Sequence, residues 1–372
     1  MNKRQTGVGT IVLVIIAVIS ILIGRNLFTD LGIEEPEGGV TVTAVSPQQP
    51  PVSAADWYEL YFTDPTCPPE AERTGGVDEI IAADILAAQT QVDVAAFELN
   101  SLPIVNALID LEKRGIPVRV VTDTDNADQT SINRLRRNGI SVVEDKRSGL
   151  MHDKFVVIDG RILYTGSLNY TTNGVYCNNN NLVRIESSRL AENYIAEMDE
   201  MYLDRLFGPD SPNETPHEQL TIGGVPVENY FGSEKEISPI IARATARAQS
   251  EILFLAFSFT DDQVGEAMLG RADAGVTLRG VFETVGSNTE FSYYPKMDGV
   301  ASANVQVRTD GNPHVMHHKV IIIDRQTVIF GSFNFSDNAN RRNDENVLIV
   351  HDPAFANYFV EEFETVWQEA GR

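Results

Sequence analysis

The sequence predicts an α/β protein with two duplicated α/β domains, their mixed, largely parallel sheets packed about a pseudo-two-fold axis, and an N-terminal transmembrane helix in front. Three observations predict it. A nine-residue segment occurs twice, as "MHDKFVVID" at 151–159 and "MHHKVIIID" at 316–324. In each half, strand-like runs alternate with helical stretches, a pattern that gives parallel pairing with helices on both sheet faces. Near the N-terminus lies a long apolar run without a charge.

That run is "VGTIVLVIIAVISILIG", 8–24, preceded by Lys3 and Arg4 and followed by Arg25. About 17–20 apolar residues suffice to cross the hydrocarbon layer as a helix. A cleaved signal has a shorter apolar core and a small-residue cleavage site. This run ends in Gly-Arg-Asn, which favours an uncleaved anchor over residues 1–29; secretion after signal cleavage is the alternative. The basic flank places the N-terminus inside. The expected location is therefore the cell membrane, with the folded part extracytoplasmic. Residues 30–56 are dominated by Pro, Gly, Ser and Gln ("EEPEGGVTVTAVSPQQPPVSAAD") and read as an extended tether, with folding expected from Trp57.

The 372 residues are 42% hydrophobic and 22% charged, enough for about two globular domains. With 29 Lys and Arg against 53 Asp and Glu, the formal charge is −24. A protein that coats duplexes needs a broad basic face, so only a local basic groove fits this chain. Cys67 and Cys177 form no CxxC and have no His at ligand spacing, so no metal is expected. They are either a disulfide, if the domain is exported, or two unrelated thiols.

From Trp57 the chain repeats. "DEIIAADILAAQ" reads as a helix before the strand "VDVAAFELN"; "PIIARATARAQ" precedes "ILFLAFSFT". Next, "VNALIDLEKRGIPVRVVTD" and "VGEAMLGRADAGVTLRGVFE" each read as helix, Gly stop and second strand. The halves end in helices holding "NYIAEMDEMY" and "NYFVEEFETVW". The repeats span 57–207 and 227–372, joined by the turn-rich linker 208–226. Their histidines are 165 positions apart, too far for a solenoid period.

Each repeated segment opens a longer pattern. His152 and Lys154 are followed by Asp159, Gly166, Ser167 and Asn169; His317 and Lys319 are followed at the same gaps by Asp324, Gly331, Ser332 and Asn334. Side chains two apart on a strand share a face, so each His–Lys pair points one way and His318 points away from Lys319 as a structural or solvent-facing residue. Neither half holds a complete site. Bringing the halves together puts two imidazoles and two ammonium groups in one cleft, a set suited to a phosphodiester. Gly166 and Gly331 permit close backbone approach. Ser167, Asn169, Ser332 and Asn334 add neutral donors.

This HxKx4Dx6GSxN pattern, present twice, resembles the phospholipase D superfamily over roughly Trp57 to Trp367. The resemblance implies a two-step, metal-independent phosphodiesterase acting through a phosphohistidine, with no cofactor. Superfamily members often carry an acid beyond GSxN that bonds a catalytic imidazole. Glu345 stands 28 residues past His317, and Asn180 stands 28 past His152. The expectation is His152 as nucleophile and His317, braced by Glu345, as general acid. Asp159 and Asp324 belong to the motif and are counted among its candidate catalytic residues, although they lie on the opposite strand parity from the lysines, which favours bracing the loop over chemistry. Asp123 and Glu283 read as turn residues.

The expected substrate is a phospholipid at a membrane surface, consistent with the anchor, the acidic charge and "VGSNTEFSYYPKMDGV" (285–300), whose aromatic residues suit an acyl-chain entrance. Nucleic acid is the alternative, through "SINRLRRNG" (131–139) and Arg341–Arg342. A non-catalytic phosphate-binding protein is the third reading, disfavoured because both His–Lys pairs are intact. One chain supplies both half-sites, so no obligate oligomer is expected.

Overall fold

Each half builds one eight-stranded sheet. In the computed structural model, residues 50–371 are described, with the side chains of residues 53 and 54 left aside. The expected span at 8–24 and the tether up to residue 49 lie outside the described residues. Among the described residues, no helix is long and apolar enough to cross a membrane.

The first half runs β1 (Ser53–Ala55), β2 (Tyr58–Phe62), α1 (Val77–Ala87), β3 (Val92–Ala96), α2 (Leu102–Lys113), β4 (Val118–Thr122), α3 (Thr130–Arg137), β5 (Ser141–Glu144), β6 (Lys154–Ile158), β7 (Ile162–Gly166), α4 (Thr172–Tyr176), β8 (Asn178–Asn179), β9 (Asn181–Glu186) and α5 (Ser188–Asp199). The second half repeats it: β10 (Gln219–Ile222), β11 (Val225–Phe231), α6 (Ser238–Thr245), β12 (Glu251–Ala256), α7 (Asp262–Asp273), β13 (Thr277–Phe282), α8 (Tyr293–Asp298), β14 (Val305–Thr309), β15 (Val315–Met316), β16 (Lys319–Ile323), β17 (Thr327–Gly331), α9 (Asp337–Arg341), β18 (Asn346–His351) and α10 (Pro353–Glu369). The last residues of the expected tether form β1, and the expected linker contains β10, so each half opens with a hairpin that composition alone read as loop.

The strand orders match one for one: β1-β2-β9-β7-β6-β3-β4-β5 and β10-β11-β18-β17-β16-β12-β13-β14. Both sheets are mixed, as expected. Within these two sheets, parallel pairing is confined to β3-β4-β5 and β12-β13-β14, where helices return the chain. It is less extensive than the strand–helix alternation implies, because β6, β7 and β9, with their counterparts, pair antiparallel. Tight turns join β6 to β7 and β16 to β17, and short turns allow only antiparallel neighbours.

Side-chain alternation divides the core into layers. Val94, Val120 and Val156 face one way, against α1 and α2. Ala95, Val121, Phe155 and Val157 face the other way, into a cluster shared with the second sheet (Leu253, Val320, Phe330), with Tyr194 of α5 and with Phe355, Phe359 and Phe363 of α10. This common layer locks the halves together. Removing one of its aromatic side chains, such as Phe155, costs about 3–5 kcal/mol. Cys67 and Cys177 are joined in a disulfide that ties the loop after β2 to the end of α4.

Candidate active site

His152 and His317 sit just before β6 and β16, at the strand edge where one half meets the other. The His152 N–H donates to the Asp344 carbonyl at 3.0 Å, and the His317 N–H donates to the Asn179 carbonyl at 2.9 Å. The short parallel pairing of β8 with β15 carries the second of these crossings. Each histidine is thus held by backbone of the opposite half, so docking builds the site.

The glycines of the motif make the next approach possible. Gly166 and Gly331 have φ of +152° and +151°, and a Cβ there would lie 2.3 Å and 2.2 Å from the carbonyl oxygens of Asn181 and Asn346. That closeness seats Ser167 and Ser332, whose N–H groups donate to those same carbonyls at 3.1 and 3.0 Å. Ser332 Oγ donates to Glu345 Oε2 at 2.7 Å. Ser167 Oγ donates to Asn180 Oδ1 at 2.9 Å.

The imidazole partners are crossed. Nδ1 of His152 donates to Glu345 Oε2 at 2.8 Å. Nδ1 of His317 donates to Asn180 Oδ1 at 2.9 Å, and Asn180 is oriented by its own Nδ2 donating to the Gly174 carbonyl at 2.9 Å. This corrects the expectation that Glu345 braces His317. Sequence distance paired each brace with the histidine of its own half; docking delivers it to the other. Both Nδ1 atoms carry the proton, which leaves each Nε2 to react.

Four buried groups then share one site. His152 is held well below the usual imidazole range by burial and by the Lys154 and Lys319 charges. His317 is lowered likewise, by burial, Lys319, Lys154 and His152. Burial brings Lys154 down to about 8, and lowers Lys319 with help from Lys154. Each ammonium donates to the carbonyl of the histidine two residues back, at 2.6 Å for Lys154 and 2.8 Å for Lys319. Burial pushes Glu345 up to about 7, against the pull of Lys154 and hydrogen bonds from Ser332 and Asn343. An anion entering this site meets neutral imidazoles and crowded ammonium groups, and its charge relieves their mutual repulsion.

Two residues that sequence reading missed complete the walls. The Phe97 ring meets His152 edge-on at 4.9 Å and lies 5.2 Å from Lys154 Nζ. Phe257 does the same to His317, at 4.9 Å, and to Lys319, at 4.6 Å. Their signal was present: both follow Ala at the end of the first core strand of a half. Asn169 and Asn334 are half-buried, each with a carbonyl oxygen that has no hydrogen-bond partner among the described residues. Asn169 Nδ2 lies 3.4 Å from Glu98.

Asp159 and Asp324, counted among the candidate catalytic residues, are instead loop braces at the far ends of β6 and β16. Asp159 accepts the N–H groups of Gln89, Thr90 and Gln91, and Asp324 those of Gln249, Ser250 and Glu251. Their φ angles, +53° and +52°, suit the left-handed turn position that Asp tolerates. Asp123 and Glu283 hold the approach to each histidine, accepting the N–H of Met151 and of Met316. His318 is buried, not solvent-facing; it lies 3.0 Å from both Asn181 and Glu362. In the 285–300 segment, Tyr293 is core beside Phe259, whereas Val285 and Phe291 are 79% and 70% exposed.

The family model described as "Cardiolipin synthase, PLD-like domain" matches residues 81–202 and 241–367, one match per half. A mitochondrial cardiolipin hydrolase of Xenopus laevis is 31% identical over 141 residues, 37% of this chain and 66% of that protein. A phospholipase D of Rickettsia felis is 34% identical over 135 residues, 36% of this chain and 66% of that protein. The chain spans about half to two thirds of the length of the curated relatives it matches. A phosphatidylserine synthase structure from Haemophilus influenzae is 12% identical with a TM-score of 0.65, covering 87% of this chain and 89% of that one, a likeness of fold. With both halves matched and both His–Lys motifs facing one cleft, the chain belongs to the phospholipase D-like domain family.

Proposed function

We propose that this protein is a phosphodiesterase that cleaves phospholipid headgroups through a phosphohistidine on His152. The observation that carries the reading is the contact of His152 Nδ1 with Glu345. When Nε2 of a neutral imidazole bonds to phosphorus, the ring becomes cationic, and a buried carboxylate at its Nδ1–H stabilises that product more than an amide does. The entering phosphate anion offsets the Lys154 and Lys319 charges, so His317 takes up a proton from solvent at Nε2 as substrate binds. On the neutral Asn180 it is the more acidic imidazolium, and it gives that proton to the leaving oxygen as the P–O bond breaks. In the second step His317 takes a proton from water, the water oxygen bonds to phosphorus, and the P–N bond to His152 breaks. Lys154 and Lys319 bind the non-bridging oxygens, with Ser167, Ser332, Asn169 and Asn334 shaping the site. The scheme uses no metal or cofactor.

The lipid reading is supported by the names of the hydrolase relatives and by the charge of −24. The exposed Val285 and Phe291 follow Glu283, which holds the approach to His317. Among the basic residues that favoured nucleic acid, Arg341 pairs with Asp337 and Glu236, Arg342 bonds Ser148, and Arg136 bonds the Ala127 carbonyl. One chain supplies both half-sites, so the reading requires no oligomer, and it places the folded part on the extracytoplasmic side of the cell membrane. The test is a parallel assay of the purified chain on phosphatidylcholine, cardiolipin, single-stranded and duplex DNA, and RNA. Turnover of a lipid supports the reading; turnover of nucleic acid alone replaces it with the nuclease.

A further inference from the structure

We propose that Glu197, Glu200 and Glu234 bind a divalent cation of the hard, oxygen-preferring class, Ca2+ or Mg2+, as a structural site outside the catalytic cleft. One carboxylate oxygen from each of the three lies within 4.8 Å of the others. Glu197 and Glu200 are only 2% and 8% exposed. Glu200 follows α5 in a short π-helical turn, Glu200–Asp204, and Glu234 follows β11, so the cluster joins the two halves. Oxygen donors in this number suit Ca2+ or Mg2+.

Two observations independent of the clustering point to a ligand. Glu200 Oε2 is buried without a hydrogen-bond partner among the described residues. A buried carboxylate oxygen with no partner is costly unless a proton or cation sits on it. No Lys, Arg or His among the described residues forms an ion pair with the three; Lys235, beside Glu234, pairs with Glu218, and Arg147 pairs with Asp145 and Asp344.

The second observation comes from the pseudo-symmetry. The counterpart of Asp153 is His318, and the counterpart of Glu197 is Glu362, each 165 positions on. In the second half those two form a pair, His318 Nε2 lying 3.0 Å from Glu362 Oε1. In the first half the imidazole is replaced by Asp153, whose Oδ1 accepts from Asn346 Nδ2 at 2.6 Å, and Glu200 and Glu234 are added. One half closes its inner layer with a base and an acid; the other presents acids alone. A bound cation supplies the missing positive charge. The half-buried Glu234 is the route in from solvent.

The test is thermal unfolding of the full-length chain in detergent at pH 8, in EGTA and then with 5 mM CaCl2 or MgCl2. A cation that binds only the folded state raises Tm, by about 2–4 °C at 100 times its Kd. The expected result is such a rise in the wild type, lost in Glu200→Gln and in Glu234→Gln. Asp153→His, which copies the other half, is expected to fold in EGTA and to lose the response. Because Glu200→Gln removes a like charge, it is expected to be at least as stable as the wild type in EGTA; if it fails to fold, the half-buried Glu234→Gln carries the comparison. No rise in the wild type, or an equal rise in Glu234→Gln, overturns the site. The readout is independent of substrate turnover, so it does not depend on the proposed activity.

Discussion

His152 Nδ1 lies 2.8 Å from Glu345 Oε2, a hydrogen bond between residues of opposite halves. The equivalent bond in the other direction, His317 to Asn180, has an amide in place of the carboxylate. The two half-sites are therefore alike in shape and unlike in charge. That asymmetry is the basis of the roles proposed for the two imidazoles.

Replacing either imidazole is expected to stop turnover while the fold survives. His152→Ala and His317→Ala are each expected to lose at least about 10³-fold in kcat, with circular dichroism and Tm close to wild type. Rapid quench with labelled substrate is expected to place the phosphoryl group on the peptide containing His152. Label recovered only on His317 reverses the assignment of roles.

Glu345 is expected to set the acid limb of the pH profile. Burial holds its carboxyl at about 7, so it takes up a proton as pH falls through that value. The protonated form no longer stabilises a cationic phosphohistidine, and kcat is expected to fall below about pH 7. Glu345→Gln is expected to lower kcat about 10²-fold and to flatten that limb, because an amide does not titrate. A profile with the same acid limb in Glu345→Gln assigns it to another group.

Gly331→Ala is expected to damage stability and site together. Its Cβ would come 2.2 Å from the Asn346 carbonyl oxygen, and φ is already +151°. A loss of roughly 1–3 kcal/mol in urea unfolding is expected, with kcat reduced because Ser332 and its bond to Glu345 move with the backbone. Gly166→Ala, against the Asn181 carbonyl, is expected to behave alike.

Asp159→Ala separates bracing from chemistry. Three backbone N–H groups of residues 89–91 lose their acceptor. A stability loss of roughly 1–2 kcal/mol is expected, with kcat within about twofold of wild type. A kcat loss far beyond the loss of folded protein would restore this residue to the reaction.

Chelation is expected to spare the chemistry. With EDTA, at a temperature where the chain stays folded, kcat is expected to be unchanged within about twofold, since the proposed scheme binds the phosphoryl oxygens through Lys154 and Lys319. Complete loss, restored by a divalent ion, would contradict a lysine-only site.

The sequence by itself determined the duplication, the family resemblance, the two His–Lys motifs and the parity that sets His318 apart from Lys319. These are local properties: spacing along one strand decides which side chains share a face, and no other part of the chain is needed to read it. The parity also assigned Asp159 and Asp324 to bracing, which the backbone N–H groups around them bear out. Only the tertiary structure decided that Glu345 serves His152 and Asn180 serves His317, that Phe97 and Phe257 wall the site, and that three glutamates from two halves meet near Asp153. Each of those is a contact between segments far apart in sequence, created when the inner sheet faces bury their common apolar layer. Periodicity reports which face a residue takes, and it carries no information about which half that face will meet.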